Sequence, residues 1–186
     1  MSHFNLEFSL MRLRILAMTS ALAAFPHLAA AQAAPVSEAF RDEAKSAAKN
    51  LMAAADEMPA DKYSFKPTAA QMSFGEIVAH LVEGNDYLCG AIGGAKAPAH
   101  AKVTGASGKD ALIAELKNSF AFCDGAFAKL DDSKLSEQLP FFGGKTRSRA
   151  YVMFVTVGDW ADHYSQSAIY LRLNNLLPPT AKKTAS

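Results

Sequence analysis

The sequence predicts an all-α fold, a four-helix bundle. Apolar residues recur every three or four positions in four separate segments, and Pro/Gly-rich stretches at Pro59–Thr68, Gly93–Gly108 and Pro140–Lys145 divide those segments. The chain has 186 residues, half of them hydrophobic, which is enough for one substantial core and too few for two. A single domain over 34–186 is therefore expected.

Residues 1–33 are read separately, as a cleaved signal peptide. Met11–Leu28 joins two arginines to a short apolar run, and Ala31-Gln32-Ala33 supplies the small-residue cleavage site. Met11 is an alternative start, because MSHFNLEFSL fits poorly as the basic end of a leader. The apolar run is too short for a membrane span of about 20 residues, so no stable anchor is expected after cleavage. The mature protein is expected in the periplasm or outside the cell.

The first helical segment, Ser37–Met58, is rich in Ala, Lys and Glu and carries Phe40, Ala44, Ala47, Leu51, Ala55 and Met58 on one face. The second opens on Ser73-Phe74-Gly75-Glu76, a capping box in which serine and glutamate bond reciprocally to each other's backbone N–H. The third starts near Ser107 as presumed cap and places Leu112, Leu116, Phe120, Cys123, Phe127 and Leu130 at helical intervals. The fourth runs from about Ser148 to Asn175 and stops before Pro178-Pro179.

Loss of Arg12, Arg14 and Glu7 with the leader takes 19 basic and 18 acidic residues to 17 of each. The mature chain is near neutral and has no basic stripe, so nucleic acid is not an expected partner. Two cysteines remain, and an oxidising compartment makes a Cys89–Cys123 disulfide the default expectation; two separate buried thiols are the alternative. Each cysteine lies 16 residues after the serine taken as its helix cap. Parallel second and third helices would put the thiols at one height, and antiparallel ones would offset them by roughly 8 to 15 Å. A disulfide needs Cα atoms within about 7 Å, so it would favour the parallel arrangement.

The fourth segment raises the functional question. Steps of four and three from Val152 give Thr156, Asp159, His163, Gln166, Tyr170 and Leu173, a seam with a polar centre. A neighbouring face with Phe154, Val155, Gly158, Ala161, Ala168 and Ile169 offers apolar packing, so the seam reads equally as a solvated side. Against that, it lacks the lysine and glutamate usual on a solvated helix face. Asp159 and His163 stand on successive turns about 6 Å apart, where both can reach one metal ion. His80, beside the Ile77 and Leu81 stripe of the second helix, is the third candidate. His100, in KAPAHAKVTG, reads as a solvated loop residue.

The stretch YSFKPTAAQMSFGEIVAH, Tyr63–His80, resembles the segment of DinB-like proteins that runs aromatic, proline, short loop, Ser, Gly-Glu and histidine. The ending DHYSQSAIYLRLNNLLPP is similar to that family's His-x-Gly-Gln, Tyr-Leu-Arg and Pro-Pro exit. The resemblance implies an up-down-down-up bundle, often paired as a homodimer, and a divalent metal held by one histidine on helix two and two ligands on helix four. Carried over by position, the ligands are His80, Asp159 and His163. Asp159 stands where the family usually has histidine, and Ser165 replaces the usual glycine. Two histidines and a carboxylate suit Zn²⁺, Ni²⁺ or Fe²⁺ with open positions. Gln166 is read as a group orienting a ligand, and Tyr170 and Arg172 as structural.

Three functions compete on these residues. The first is a metal-dependent hydrolase or transferase; some relatives transfer low-molecular-weight thiols, which suits an exported protein poorly. The second is a non-catalytic bundle that binds an unknown small molecule at a degenerate metal site. The third is a structural bundle whose seam is solvated, in which case no site should form around Asp159 and His163. Glu76 and Glu83 lie near His80 in sequence but are expected to face outward, so no general base is evident.

Overall fold

Helix α1 (Pro35–Glu57) begins on a proline, whose missing N–H costs nothing in the first turn. The computed structural model describes residues 34–182, and the expected signal peptide lies outside the described residues. No local side chain caps α1. Instead Val36 N–H, Ser37 N–H and the Ser37 hydroxyl donate to the Asp132 carboxylate at 3.0, 2.8 and 2.7 Å. Phe40, Ala44, Ala47, Leu51, Ala54 and Ala55 form its buried stripe.

Helix α2 (Phe74–Gly93) carries the expected capping box. Ser73 Oγ accepts from Glu76 N–H, and Glu76 Oε2 accepts from Ser73 N–H at 2.6 Å. Helix α3 (Lys109–Phe127) departs from expectation, because Gly108 occupies its cap position and supplies no side chain. Ser107 accepts from Thr104 N–H at 2.9 Å, closing a loop turn just ahead of the helix. Helix α4 (Arg149–Leu173) is capped by Ser148, which accepts from Tyr151 N–H at 3.3 Å.

The all-α expectation needs one correction. Between α3 and α4 the chain forms an antiparallel hairpin of β1 (Gln138–Phe141) and β2 (Lys145–Ser148), in register from Gln138↔Ser148 to Phe141↔Lys145. Strands of four residues are too short to show an alternating pattern, and the Pro/Gly-rich break read as a loop is the turn itself. Gly143 and Gly144 adopt φ of 67° and 69°, the left-handed region that glycine enters without steric cost. The fold is thus a four-helix bundle with a small hairpin.

Contacts between helices set their directions. Asn85 Nδ2 donates to Ser119 Oγ, and four residues further along both helices Cys89 and Cys123 form a disulfide with Cα atoms 5.0 Å apart, so α2 and α3 run parallel. Asn85 Oδ1 accepts from Trp160 Nε1 at 2.8 Å while the earlier His80 meets the later His163, so α2 and α4 are antiparallel. Phe40 packs on Phe127, and Lys109 Nζ donates to the carbonyls of Asp56 and Met58, so α1 opposes α3. The order is up, down, down, up, as the family resemblance implied, with residues 94–108 as the long crossover.

The core lies among all four helices and includes Trp160, edge-on to Phe120 at 5.0 Å between ring centroids. Helix α4 buries Val152, Met153, Thr156, Trp160, His163, Ala168, Tyr170 and Leu171. The face proposed as its alternative packing surface points outward at its bulkiest positions: Phe154 is 72% exposed and Ile169 53%. The reading of the Asp159/His163 seam as the solvated side is therefore overturned, since its members Val152, Thr156, His163 and Tyr170 are buried. Among the described residues, no helix is long and apolar enough to cross a membrane.

Candidate metal centre

Antiparallel packing of α2 on α4 brings together the three residues singled out in the sequence. The rings of His80 and His163 meet edge to face with centroids 4.8 Å apart. One turn before His163 on the same helix, Asp159 places Oδ1 3.4 Å from His163 Nε2. One ligand atom from each of His80, Asp159 and His163 can be chosen so that all lie within 4.8 Å of one another. The group grades from buried His163 through half-buried Asp159 to exposed His80, so it opens toward solvent on the α2 side.

His163 is unusual for a core histidine. Its Nδ1 is buried and has no hydrogen-bond partner, while Nε2 faces the Asp159 carboxylate at 3.4 Å, longer than a good hydrogen bond. A histidine retained only for packing would ordinarily have both nitrogens satisfied. Burial by itself would lower its pKa, but the Asp159 carboxylate, the more distant Asp162 and Gln166 outweigh that and raise it. The donor set of two imidazoles and one carboxylate fits a divalent transition ion, which takes neutral His nitrogen and carboxylate oxygen at about 2.0–2.2 Å.

The neighbours are divided between support and other tasks. Thr156 Oγ1 donates to the Val152 carbonyl of its own helix, and Tyr170 donates its hydroxyl to the Met72 carbonyl at 2.8 Å, tying the end of α4 to the segment before α2. Arg172 reaches back to the Ala168 carbonyl. Gln166 Nε2 donates to Asp162 Oδ2 at 2.7 Å, so its amide is engaged on the exposed side of α4. Glu76 and Glu83 both face outward, as expected.

His100 is not a free solvated residue. It bonds through Nε2 to Asp86 on α2 and through Nδ1 to the Ala101 carbonyl, and Glu115 on α3 lies 3.5 Å from Nδ1. Its pKa is raised, chiefly by the Asp86 hydrogen bond. Nothing local in KAPAHAKVTG signals this, because the partners lie on two other elements. Asn85 was also missed; a lone amide between apolar positions, next to Asp86 and four residues before Cys89, was the available sign.

Comparison with known proteins bears on the fold. A family model described as the DinB superfamily matches residues 43–167. Among solved structures, a DinB-like protein from Bacillus subtilis superposes with a TM-score of 0.63 at 16% identity, covering 78% of this chain and 99% of that one. A DinB-like protein from Bacillus cereus gives 0.63 at 13% identity, with 76% and 95% covered. A mutant of the mycothiol-dependent maleylpyruvate isomerase gives 0.58 at 13% identity, covering 69% of this chain and 59% of that one. These likenesses establish a shared fold. No curated protein matches the sequence. With over half of its length matched by the family model, and with the four-helix architecture in place, the chain belongs to the DinB superfamily.

Proposed function

We propose that this protein is an exported member of the superfamily that binds one divalent cation between α2 and α4, held by His80, Asp159 and His163. The observation that carries this reading is the state of His163: a buried imidazole with one nitrogen unpartnered and the other turned to the Asp159 carboxylate, within one group with His80. A bound ion would take one ring nitrogen as a ligand and neutralise the adjacent carboxylate.

When bound, such an ion supplies a Lewis acid at an open edge, the chemistry of hydrolases and group transferases. The chain's own residues do the rest. The core fixes His163 from one side through its place on α4, between buried Trp160 and Ser167. Asp159 supplies negative charge that favours a cation, and His80 forms the solvent side at which a ligand arrives. Zn²⁺, Ni²⁺ and Fe²⁺ all suit this donor set.

The disulfide supports an oxidising location, periplasmic or extracellular. Thiol-dependent chemistry of the kind named for the isomerase structure fits such a compartment poorly, since reduced small thiols are not maintained there. The second reading, a non-catalytic binding bundle, is favoured by Asp159 standing where the family usually has histidine. The reading is tested by titrating Zn²⁺ into the mature protein while following the histidine ring resonances. One equivalent should perturb His80 and His163 and leave His100 unchanged. Broad perturbation of all three, or none, contradicts it.

A further inference from the structure

The crossover from α2 to α3 is seated at both ends by backbone contacts. At its start Ala95 N–H donates to the Gly90 carbonyl at 3.0 Å, and a Cβ on Gly90 would lie 2.8 Å from the Ala95 carbonyl oxygen. At its far end Gly105 lies against the first turn of α2: a Cβ on Gly105 would lie 2.5 Å from Glu76 Cγ, and one on Gly75 would lie 2.5 Å from the Gly105 carbonyl oxygen. Glycine is what permits such close approach. Neither seat depends on a proton that can be lost.

The span between the seats is held differently. Among the described residues, no backbone–backbone hydrogen bond fastens residues 96–103. Their polar ties to the helices all run through His100, whose Nε2 bonds Asp86 on α2 and whose Nδ1 lies 3.5 Å from Glu115 on α3 and 2.9 Å from the Ala101 carbonyl. Half-buried Val103 adds an apolar contact. Pro98 and Ala99 line one cleft with Asn118 and Phe122 of α3, and Val103 and Thr104 line another with His80 and Glu83 of α2.

The atoms that face the two ring nitrogens are a carboxylate oxygen on one side and a carbonyl and a second carboxylate on the other. A neutral imidazole has one N–H and cannot donate at both nitrogens, so this arrangement holds one proton more than a neutral ring brings. Loss of that proton turns the Nδ1 lone pair toward the Ala101 carbonyl and Glu115, and the contact with α3 becomes repulsive. The other charged or titratable neighbours do not replace it: Glu76, Glu83 and His80 line the groove from α2, and Lys96 and Lys102 belong to the span itself. The His100 pKa is raised, chiefly by the Asp86 hydrogen bond, so the extra proton is held below the folded value and lost as pH rises through it.

We propose that residues 96–103 are a proton-operated strap: His100 protonated on both nitrogens clasps them to α2 and α3, and loss of one ring proton releases them between fixed ends, uncovering both clefts. The device stands whether or not a metal occupies the His80 site.

The test uses mature protein with ¹³C-labelled alanine methyls, because Ala97, Ala99 and Ala101 report on the strap and Ala95 and Ala106 on its seats. Methyl relaxation and the ring nitrogens of His100 are followed from about pH 5 to about pH 9, across the histidine range. Below the His100 midpoint both ring nitrogens should be protonated and the strap alanines should show order parameters of about 0.85; above it these should fall below about 0.6, while Ala95 and Ala106 stay unchanged. Asp86→Asn should move the ring midpoint and the release midpoint down together, and His100→Gln should make strap mobility independent of pH. A ring with one proton at the acid end, or a strap equally ordered on both sides of the midpoint, overturns the proposal. So does a mobility change that persists in His100→Gln or fails to follow the ring midpoint in Asp86→Asn.

Discussion

On the α3 side of α2, His100 has both ring nitrogens engaged, by Asp86 and the Ala101 carbonyl, whereas on the α4 side the more deeply buried His163 has one nitrogen bare and the other turned to Asp159. The first flank is also crosslinked by Cys89–Cys123 and joined through Asn85 and Ser119. One flank of the helix is closed by satisfied bonds and the other keeps donor atoms free at an open edge. Burial of a histidine thus says little about its role; whether its nitrogens have partners says more, because a buried polar atom without one costs about 1–3 kcal/mol.

Perturbing each flank in turn should separate the two roles. The largest effect is expected at the crosslink. Cys89→Ser with Cys123→Ser opens a bridge between residues 34 apart and should cost about 3–4 kcal/mol in denaturant unfolding, with no change in zinc stoichiometry. A loss of zinc along with stability would show that the flanks are not independent. Next, zinc at one hundred times its Kd should stabilise the wild type by about 2.7 kcal/mol and leave His163→Ala unmoved. Asn85→Leu, between the flanks, leaves the indole N–H of Trp160 without its acceptor and should cost about 1–3 kcal/mol.

The smallest effect is a pH dependence at His100. Its folded pKa is raised, so its stabilisation is complete below the unfolded value of about 6.5 and is lost as pH rises through the folded value. Thermal scans across that window should show a fall in Tm that His100→Gln reduces, the remainder belonging to His163, whose pKa is raised as well. An equal fall in the variant would assign the dependence to another group.

Much of this arrangement was legible in the sequence, and the exceptions share a physical origin. Helical spacing located all four helices, and Ser73-Phe74-Gly75-Glu76 marked the start of α2 because a capping box is entirely local. Asp159 and His163 were legible for the same reason, being one turn apart on one helix. His80 was a candidate from its place beside the Ile77 and Leu81 stripe, but the sequence alone did not join it to the pair, since its distance from α4 depends on how helices pack; the family resemblance supplied that link. The His100 cluster was missed because Asp86 and Glu115 belong to two other elements. The hairpin was missed because its strands are too short for a pattern. The packing face of α4 was ambiguous because large apolar residues, Phe154 and Ile169 among them, also stand on its exposed side.

The most direct test of the account is elemental analysis of mature protein purified without a metal-affinity tag, beside the Asp159→Ala variant. The account predicts close to one equivalent of a divalent transition metal in the wild type and its loss in the variant. No metal in the wild type, even after incubation with zinc or nickel, would contradict it.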